Sequence, residues 1–335
     1  MTLIRQVSRF AVTFRSWAQA IGCAVVAAFV VAPAPSSAQA TYPTKPIRVV
    51  VPFPAGTSPD VQARMWGERL RKSLGQPVVV DNRPGATTII GTQAVTLAPG
   101  DGYTLLYTAQ NTMAINPHVF KNLPYKVEDF VPVSQITAVP LVLIVAANSP
   151  IKSLSDLMQA AKEKPGRLNY ASYGIGQGTH VAMVRLLNAS GTTMNHIPYK
   201  DGGINDVVSG TVEVSFEGST TAIPQIKAGK ARALAISSAK RLDALPDVPT
   251  IAESVPGFLA DSWTGVFAPK GTPPDVIAKL AAESQKIVAA EDFRAKLREL
   301  GLTPRGGTPT ELARLVADDS GTWAKVVREN EIKVE

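Results

Sequence analysis

Two short loops in this sequence combine glycine with helix-starting residues, at points where backbone amides can bind an anion. The first follows the apolar run Ile47–Val51 and contains Gly56 before the tripeptide Ser58-Pro59-Asp60. Ser58 is a typical helix cap, proline suits the first helical position because it lacks an N–H, and Asp60 favours the positive end of the helix dipole. Such a junction of strand, loop and helix N-terminus binds anions through N–H groups. A second junction of this kind is predicted at residues 170–180.

Other binding chemistries fit the second loop less well. Gly174, Gly176 and Gly178 follow one another at a spacing of two, whereas the dinucleotide fingerprint needs two residues between its second and third glycines. No Gly-Lys-Ser/Thr phosphate loop occurs in the chain. The glycines instead permit positive φ angles and close approach of a ligand, with a merely tight turn as the alternative.

Metal and nucleophilic sites are also disfavoured. His118, His180 and His196 have no metal-ligand spacing, so we expect neither a metal nor a cofactor. Ser172 precedes the second loop without a Gly-x-Ser-x-Gly elbow, and a hydrolase using Ser172 with His180 as its only candidate base is a minor alternative. A neutral His180 that orients the loop is favoured over one that contacts ligand.

Two further residues have a structural and a functional interpretation. Asp60 either satisfies its helix N-terminus or holds loop amides and ligand groups. Trp263 is expected in the core rather than as a stacking platform. Neither loop contains Lys or Arg, and a site built from amides suits a small carboxylate that must later be released. We expect the two loops to meet across a cleft between two domains.

The elements that position these loops alternate along the chain. Strands are predicted at 47–51, 77–80 and 103–108 with helices at 59–74 and 90–97 between them, and 109–112 as a loop. This rhythm predicts a parallel sheet in which the ends of strands 47–51 and 103–108 share one edge. Extended chain at 130–147 leads to a second α/β series, with strands at 168–171, 194–198, 212–216 and 231–237 and helices at 153–164, 179–188, 204–209 and 222–228. A last strand at 262–268 and helices at 273–290, 292–300 and 309–329 pack back on the first domain.

The first forty residues have the composition of a secretory signal. Three arginines precede an apolar run at 18–32, and Ala38-Gln39-Ala40 provides a cleavage site. Cleavage after Ala40 removes Cys23, the only cysteine, and lowers the formal net charge from +7 to about +4. No basic run with interleaved aromatics follows, so nucleic acid is not an expected partner. We predict domains at 41–144 plus 256–335 and at 145–255.

Nine segments in order resemble one family. They are YPTKPIRVVVPFPAG, VVDNRPGA, DGYTLL, INPHVFKNLPY, DFVPVS, ASYGIGQGTH, HIPYKDGG, LPDVPTIAES and WTGVFAPKGTPPDVI. The chain resembles the solute receptors of tripartite tricarboxylate transporters, the Bug receptors of the Gram-negative periplasm. The resemblance implies a type II periplasmic binding protein fold, with two doubly wound α/β domains and a ligand cleft between them. It also implies a periplasmic, non-enzymatic and monomeric receptor that delivers an organic carboxylate to membrane permease subunits. A sensor subunit for a membrane histidine kinase is the alternative, because it would use the same cleft.

The resemblance also implies the site residues. Amides of two loops would reach the ligand carboxylate, whereas the loop after strand 103–108 and those at Asp201-Gly202 and Gly218-Ser219 would face its distal end. The ligand-binding residues are then Phe53, Ala55, Gly56, Thr57, Ser58, Asp60, Gln110, Asn111, Ser172, Gly174, Gly176, Gln177, Gly178, Thr179, His180, Asp201, Gly218 and Ser219. Thr57 and Thr87-Thr88 stand where the family has glycine, and Gln177 where it has serine. The first and last of these departures bear on ligand identity, and Thr87-Thr88 stiffens a loop at the cleft edge.

Overall fold

A computed structural model describes residues 42–334 of the 335-residue chain. The predictions for the leader, its cleavage site and Cys23 therefore lie outside the described residues. Within the described part, no helix combines the length and apolar character needed to cross a bilayer. Residues from Pro43 onward form one compact unit.

The strands are β1 (Ile47–Val51), β2 (Val78–Asn82), β3 (Thr104–Ala109), β4 (Phe130–Val139), β5 (Leu141–Ala146), β6 (Asn169–Ser172), β7 (Asn195–Pro198), β8 (Val214–Gly218), β9 (Ala231–Ile236), β10 (Ser262–Pro269) and β11 (Thr303–Pro304). The α-helices are α1 (Ser58–Leu74), α2 (Ile89–Thr96), α3 (Asn116–Val119), α4 (Leu154–Glu163), α5 (Gly178–Ser190), α6 (Ile204–Ser209), α7 (Ser219–Lys227), α8 (Pro274–Ala289), α9 (Glu291–Glu299) and α10 (Pro309–Glu329).

The first sheet has six strands in the order β11-β4-β10-β3-β1-β2. β1 pairs in parallel with both β2 and β3, which confirms that the ends of strands 47–51 and 103–108 share an edge. Val49, Val50 and Leu106 are fully buried. Strands covered on both faces need such continuous apolar runs, which is why β1 shows no alternation. β10 returns antiparallel to β3 and β4. We call this sheet with its helices lobe 1.

The second sheet has five strands in the order β7-β6-β8-β5-β9. β6 pairs in parallel with β7 and β8, whereas β5 runs antiparallel to β8 and β9. Leu143, Ile144 and Phe216 are fully buried at its centre. We call this sheet with its helices lobe 2. Two mixed α/β sheets of this kind confirm the predicted fold class.

The chain crosses between the lobes twice. The extended segment predicted at 130–147 is confirmed as β4 and β5, which Pro140 separates. The return runs from β9 to β10, and Ser237 joins both crossings. Its Oγ accepts a hydrogen bond from the amide of Leu141 (2.9 Å) and donates one to Oδ1 of Asp261 (2.6 Å). The proposed domain limits at 144/145 and 255/256 stay a prediction, while the change of sheet falls at Pro140.

The C-terminal helices pack against lobe 1, with α8 on α1 and β4 and α9 on β11. α10 packs on β4 as predicted, and it also contacts α5 of lobe 2. Trp323 and Val327 of α10 belong to the same buried cluster as Leu186 and Leu187 of α5. The last long helix is therefore shared between the lobes.

Candidate functional site

Loop A, residues 52–57, connects β1 to α1 and is held by its own side chains. The amide of Gly56, at φ +82°, donates to Oδ2 of Asp60 (2.8 Å), and Thr57 Oγ1 donates to the carbonyl of Pro54 (2.7 Å). Thr57 occupies the N-cap position without a capping bond, and Ser58 is the first helical residue. The prediction that Ser58 caps the helix was therefore wrong, since its hydroxyl instead accepts from Gln62 Nε2 (2.9 Å).

Asp60 is the anchor of loop A. Its carboxyl is buried, forms an ion pair with Arg64 (3.0 Å) and accepts from Asn82 Nδ2 (2.8 Å). Burial raises the pKa of Asp60, but hydrogen bonds from Arg64, Gly56 and Asn82 and the charge of Arg64 outweigh it, so the pKa is lowered. Of the two interpretations, the geometry supports an ionised Asp60 that holds a loop amide.

Loop B, residues 173–177, connects β6 to α5 and is likewise closed on itself. The amide of Gly174 donates to Ser172 Oγ (3.1 Å), that of Tyr173 to Thr179 Oγ1 (3.2 Å), and that of Gly176 to Nδ1 of His180 (3.0 Å). Three amides near the glycines are thus already engaged.

The amides left for a ligand are those of the helix starts. An α-helix leaves its first N–H groups without intrahelical partners. In the described part of the chain, the amides of Ser58 and Asp60 at α1, and of Gly178, Thr179 and His180 at α5, form no hydrogen bond. Each helix start also carries the positive end of the helix dipole, so both lobes offer donors suited to an anion.

Two histidines and a tyrosine stack beneath loop B. The ring of His196 lies 4.9 Å from that of Tyr170 and 4.0 Å from that of His180, with interplanar angles of 16° and 15°. Tyr170 and His196 are direct partners in the parallel pairing of β6 and β7. Burial, and then the neighbouring His196, lower the pKa of His180 to about 3, and burial lowers the pKa of His196 to about 4. His180 is neutral as predicted, although burial rather than the helix dipole is the main cause.

His196 also corrects the hypothesis of a serine nucleophile. Ser172 Oγ and His196 Nε2 share a hydrogen bond of 2.6 Å, so the nearest base is His196 and not His180. Ser172 is fully buried, and among the described residues no carboxylate forms a hydrogen bond with either ring. A buried hydroxyl that no substrate can reach, beside an imidazole that no carboxylate orients, lacks the geometry of nucleophilic catalysis.

Three loops of lobe 2 meet around Tyr173. Its hydroxyl donates to Oε2 of Glu217 (3.0 Å) at the end of β8. Its ring lies against Gly202, where an added Cβ would approach the ring to 2.4 Å. Asp201, in the same turn as Gly202, accepts from the amide of Gly203 (3.2 Å). Loop B, the turn after β7 and the end of β8 thus form one packed unit.

The lobes contact each other at the segment after β3, which the structure corrects from a loop to a helix. Residues Asn111–Ile115 form a π-helix that continues into α3. Asn111 Nδ2 donates to Oε1 of Gln177 in loop B (3.1 Å). Gly176 packs on Val119 of α3, since a Cβ on this glycine would come within 2.5 Å of the valine methyl. Loop B therefore lies against lobe 1, beside the strand that neighbours β1.

Other predicted site residues lie elsewhere. Gln110 Nε2 donates to Asp319 Oδ2 (2.6 Å) of α10. Trp263 donates to the same carboxylate oxygen through Nε1 and is buried as expected. Gly218 pairs with Leu141 beside the crossing at Pro140. Ser219 is the first residue of α7, which begins three residues earlier than predicted; its side chain is fully buried next to Gly301, and its Oγ has no partner in the described structure.

The segment 86–88, before α2, has an unusual backbone conformation that the sequence analysis did not predict. Ala86, Thr87 and Thr88 have φ angles of +43°, +55° and +76°, in the left-handed region that disfavours β-branched residues. Asn116 Nδ2 donates to the carbonyl of Thr87 (2.9 Å), and Thr88 Oγ1 shares a hydrogen bond with Thr112 Oγ1 (2.9 Å). These bonds tie the strained segment to the π-helix that carries Asn111.

Among the described residues, loops A and B lie apart from the cavity near the chain crossings and carry no group of side chains arranged to hold a metal ion. Within residues 42–334, no group of three His, Cys, Asp or Glu side chains is arranged to hold a metal ion. A cavity of about 980 Å³ lies beside the chain crossings and α10. Gln110 is the only predicted ligand-binding residue in its wall, so this cavity is separate from loops A and B.

Comparison with known proteins places the chain in a family. A sequence model described as tripartite tricarboxylate transporter family receptor matches residues 62–332. The solved periplasmic binding protein BugD is 33% identical, with a TM-score of 0.79 over 88% of this chain and 100% of that one. Rpa4515 of R. palustris, solved with adipate, is 33% identical, with a TM-score of 0.83 over 88% and 100%. MatC of Rhodopseudomonas palustris, solved with malate, is 31% identical, with a TM-score of 0.77 over 85% and 100%. The matches confirm the predicted resemblance and the two-domain periplasmic binding protein fold.

Proposed function

The chain belongs to the tripartite tricarboxylate transporter receptor family, whose solved relatives are solute-binding receptors rather than enzymes, and we propose that it captures a small organic carboxylate between its two lobes. The ligand carboxylate binds to the free amides that begin α1 and α5, with Asp60 and His180 holding the loops before them. The receptor then passes its ligand to the permease subunits of a tripartite transporter. In this proposal the receptor acts in the periplasm, after cleavage of the predicted signal.

The observation that carries this proposal is the pair of unpaired helix N-termini, one on each lobe. Amides bind an anion by fixed hydrogen bonds and dipoles without a full positive charge, which favours reversible binding. Loops A and B and the first helical turns after them contain no Lys or Arg up to Val61 and Ala182. The site is therefore matched to capture and release.

The favoured ligand class is a dicarboxylic or otherwise functionalised acid. Adipate and malate, which the solved relatives Rpa4515 and MatC contain, each carry two carboxylates. The second carboxylate then reaches the segments further along the cleft, where Asn111, Asp201, Gly218 and Ser219 remain candidates for selectivity.

A panel of carboxylates in thermal shift and titration calorimetry tests the proposal. A ligand at 100 times its Kd stabilises the folded protein by about 2.7 kcal/mol, which raises the melting temperature. Gln177→Glu adds a carboxylate beside the start of α5 and should weaken binding of every acid that shifts the wild type. Gln93→Glu adds the same charge on the exposed face of α2 and should not. Absence of any shift with adipate, malate and related acids contradicts the proposal.

The permease partnership is tested separately in cells. Deletion of the receptor gene should abolish uptake of the labelled ligand, and expression of the wild type should restore it. A receptor lacking residues 1–40 should not restore uptake, because it would not reach the periplasm. Unchanged uptake in the deletion strain contradicts delivery to a permease.

A further inference from the structure

Glu217 is a buried carboxyl without a cationic partner. It is fully buried near the end of β8, where Oε2 accepts from the hydroxyl of Tyr173 (3.0 Å) and Oε1 from that of Ser215 (3.2 Å). Its partner across the sheet is Val142 of β5, a strand that contains only apolar residues. Among the described residues, no Lys, Arg or His forms an ion pair with it.

These surroundings disfavour a carboxylate. A charged group removed from water without a counter-ion is costly, so the proton is retained instead. The charged group that faces Glu217 is Asp201 in the turn after β7, and its negative charge acts in the same direction. Burial and Asp201 together raise the pKa of Glu217 to about 8, although the hydrogen bonds from Tyr173 and Ser215 oppose the shift.

Glu217 is connected to the carboxylate site through one residue. Tyr173 belongs to loop B, where its amide bonds to Thr179 in the first turn of α5 and its hydroxyl bonds to Glu217. The ring is fixed on its other side by Gly202. A change in the charge of Glu217 therefore acts directly on the residue that leads into the free amides of α5.

We propose that Glu217 is a positioning residue of the carboxylate site, which holds loop B through Tyr173 as a neutral acid and weakens anion binding when it ionises. This inference rests on the proposed function, because it assigns a regulating group to the same site. The ligand anion and the Glu217 proton then bind cooperatively, since the proton removes a negative charge that repels the anion, and the charge of the bound anion in turn favours the protonated carboxyl. His180 and His196 are neutral above pH 6.5 and do not contribute in that range.

The proposal predicts a specific pH dependence. Affinity for an anion is constant at low pH and falls as the pH rises through the pKa of Glu217, by at most tenfold per pH unit. Calorimetric titrations with adipate and with malate between pH 6 and pH 9.5 measure this fall, and both probes keep their carboxylates ionised over the range. In Glu217→Gln the affinity should stay constant, because glutamine keeps an acceptor for Tyr173 and cannot ionise.

Two variants provide controls. Glu213→Gln changes a carboxyl before the opposite end of β8, where it accepts from the amide of Asn169 (2.9 Å), and should retain the wild-type profile. Tyr173→Phe removes a hydrogen bond that lowers the pKa of Glu217, so the fall in affinity should begin at a higher pH. Parallel profiles for the wild type and Glu217→Gln overturn the inference.

A ligand-free measurement separates this inference from the proposed function. Between about pH 5 and about pH 8, the folded wild type retains a proton that the unfolded chain has lost. A rise in pH therefore shifts the wild type toward the unfolded state, by up to tenfold per pH unit relative to Glu217→Gln. Identical ligand-free profiles overturn the inference whatever the ligands do. A difference between these profiles, together with no binding of any acid at pH 6, overturns the proposed function instead.

Discussion

The side chains of Asn111 and Gln177 form a hydrogen bond between the two lobes, with 3.1 Å between Nδ2 and Oε1. Asn111 begins the π-helix after β3, and Gln177 precedes the first turn of α5. The bond therefore joins the edge that carries loop A to loop B. Both residues were predicted to bind ligand, and their contact with each other gives the site a direct connection across the cleft.

We expect the Asn111–Gln177 bond to contribute a measurable coupling energy. Asn111→Ala and Gln177→Ala should each destabilise the protein, and the double variant should be less destabilised than the sum, by about 0.5–1.5 kcal/mol for a neutral hydrogen bond. Denaturant unfolding of the four proteins in this cycle measures the coupling. Strict additivity would show that the bond does not hold the lobes in solution.

Gly176 and Gly56 should differ in their tolerance of alanine. Both have positive φ, so a Cβ at either costs roughly 1–2 kcal/mol in backbone strain. At Gly176 the Cβ also meets Val119 at 2.5 Å, which adds about 1–3 kcal/mol, whereas nothing lies within 4 Å of a Cβ at Gly56. Chemical denaturation should give the larger loss for Gly176→Ala, and Val119→Ala in the same chain should restore part of it. Equal losses at the two glycines contradict the packing of loop B on α3.

The histidine stack should make the protein sensitive to mild acid. The folded pKa values of about 3 for His180 and about 4 for His196 lie below the unfolded value of 6.5. Their contribution to stability is therefore complete above pH 6.5 and is lost as the pH falls toward 4. Each histidine changes the unfolding equilibrium by up to tenfold per pH unit in that window.

A double variant with His180→Asn and His196→Gln tests this expectation, because neither new side chain can take up a proton. Unfolding curves of this variant and of the wild type are compared between pH 6.5 and pH 4.5. The double variant should show a flatter profile than the wild type. His118, whose pKa is also lowered by burial, is the separate reference, and His118→Asn measures its share. A double variant that is as acid-sensitive as the wild type would rule out the stack as the cause.

Thr87 and Thr88 should respond differently to glycine. Thr87→Gly relieves strain of roughly 1–2 kcal/mol at φ +55° and costs about 0.5–1 kcal/mol in chain entropy, so stability should rise slightly. Thr88→Gly relieves similar strain but also removes the hydrogen bond with Thr112, worth about 1 kcal/mol, so no gain is expected. Melting temperatures of the two variants make the comparison. A loss of stability in Thr87→Gly contradicts the presence of strain.

The sequence predicted the parts of the fold that depend on local pattern. β1, α1 and the alternation of strands and helices in both lobes were visible because apolar runs, glycine and proline mark their limits. The π-helix Asn111–Ile115 was missed because a loop of polar residues and a helix packed between two lobes have the same local composition. Its formation depends on contacts with Thr88, Gln177 and α10, which lie far away in sequence.

The site, too, depends on contacts between distant residues, and it was therefore predicted only in part. Loops A and B were located, but which amides remain free depends on Asp60 and His180 folding back onto Gly56 and Gly176. Tyr173, His196 and Glu217 were not identified, since their roles arise from pairing between strands that are distant in the chain. The register of His196 with Tyr170 was one available signal, because adjacent parallel strands place such rings on one face.

Ser237 accepts from Leu141 at one passage of the chain and donates to Asp261 at the other. A single hydroxyl shared in this way connects the two passages of the chain. A rotation of one sheet relative to the other must therefore move both passages together or break one of the two hydrogen bonds at Ser237.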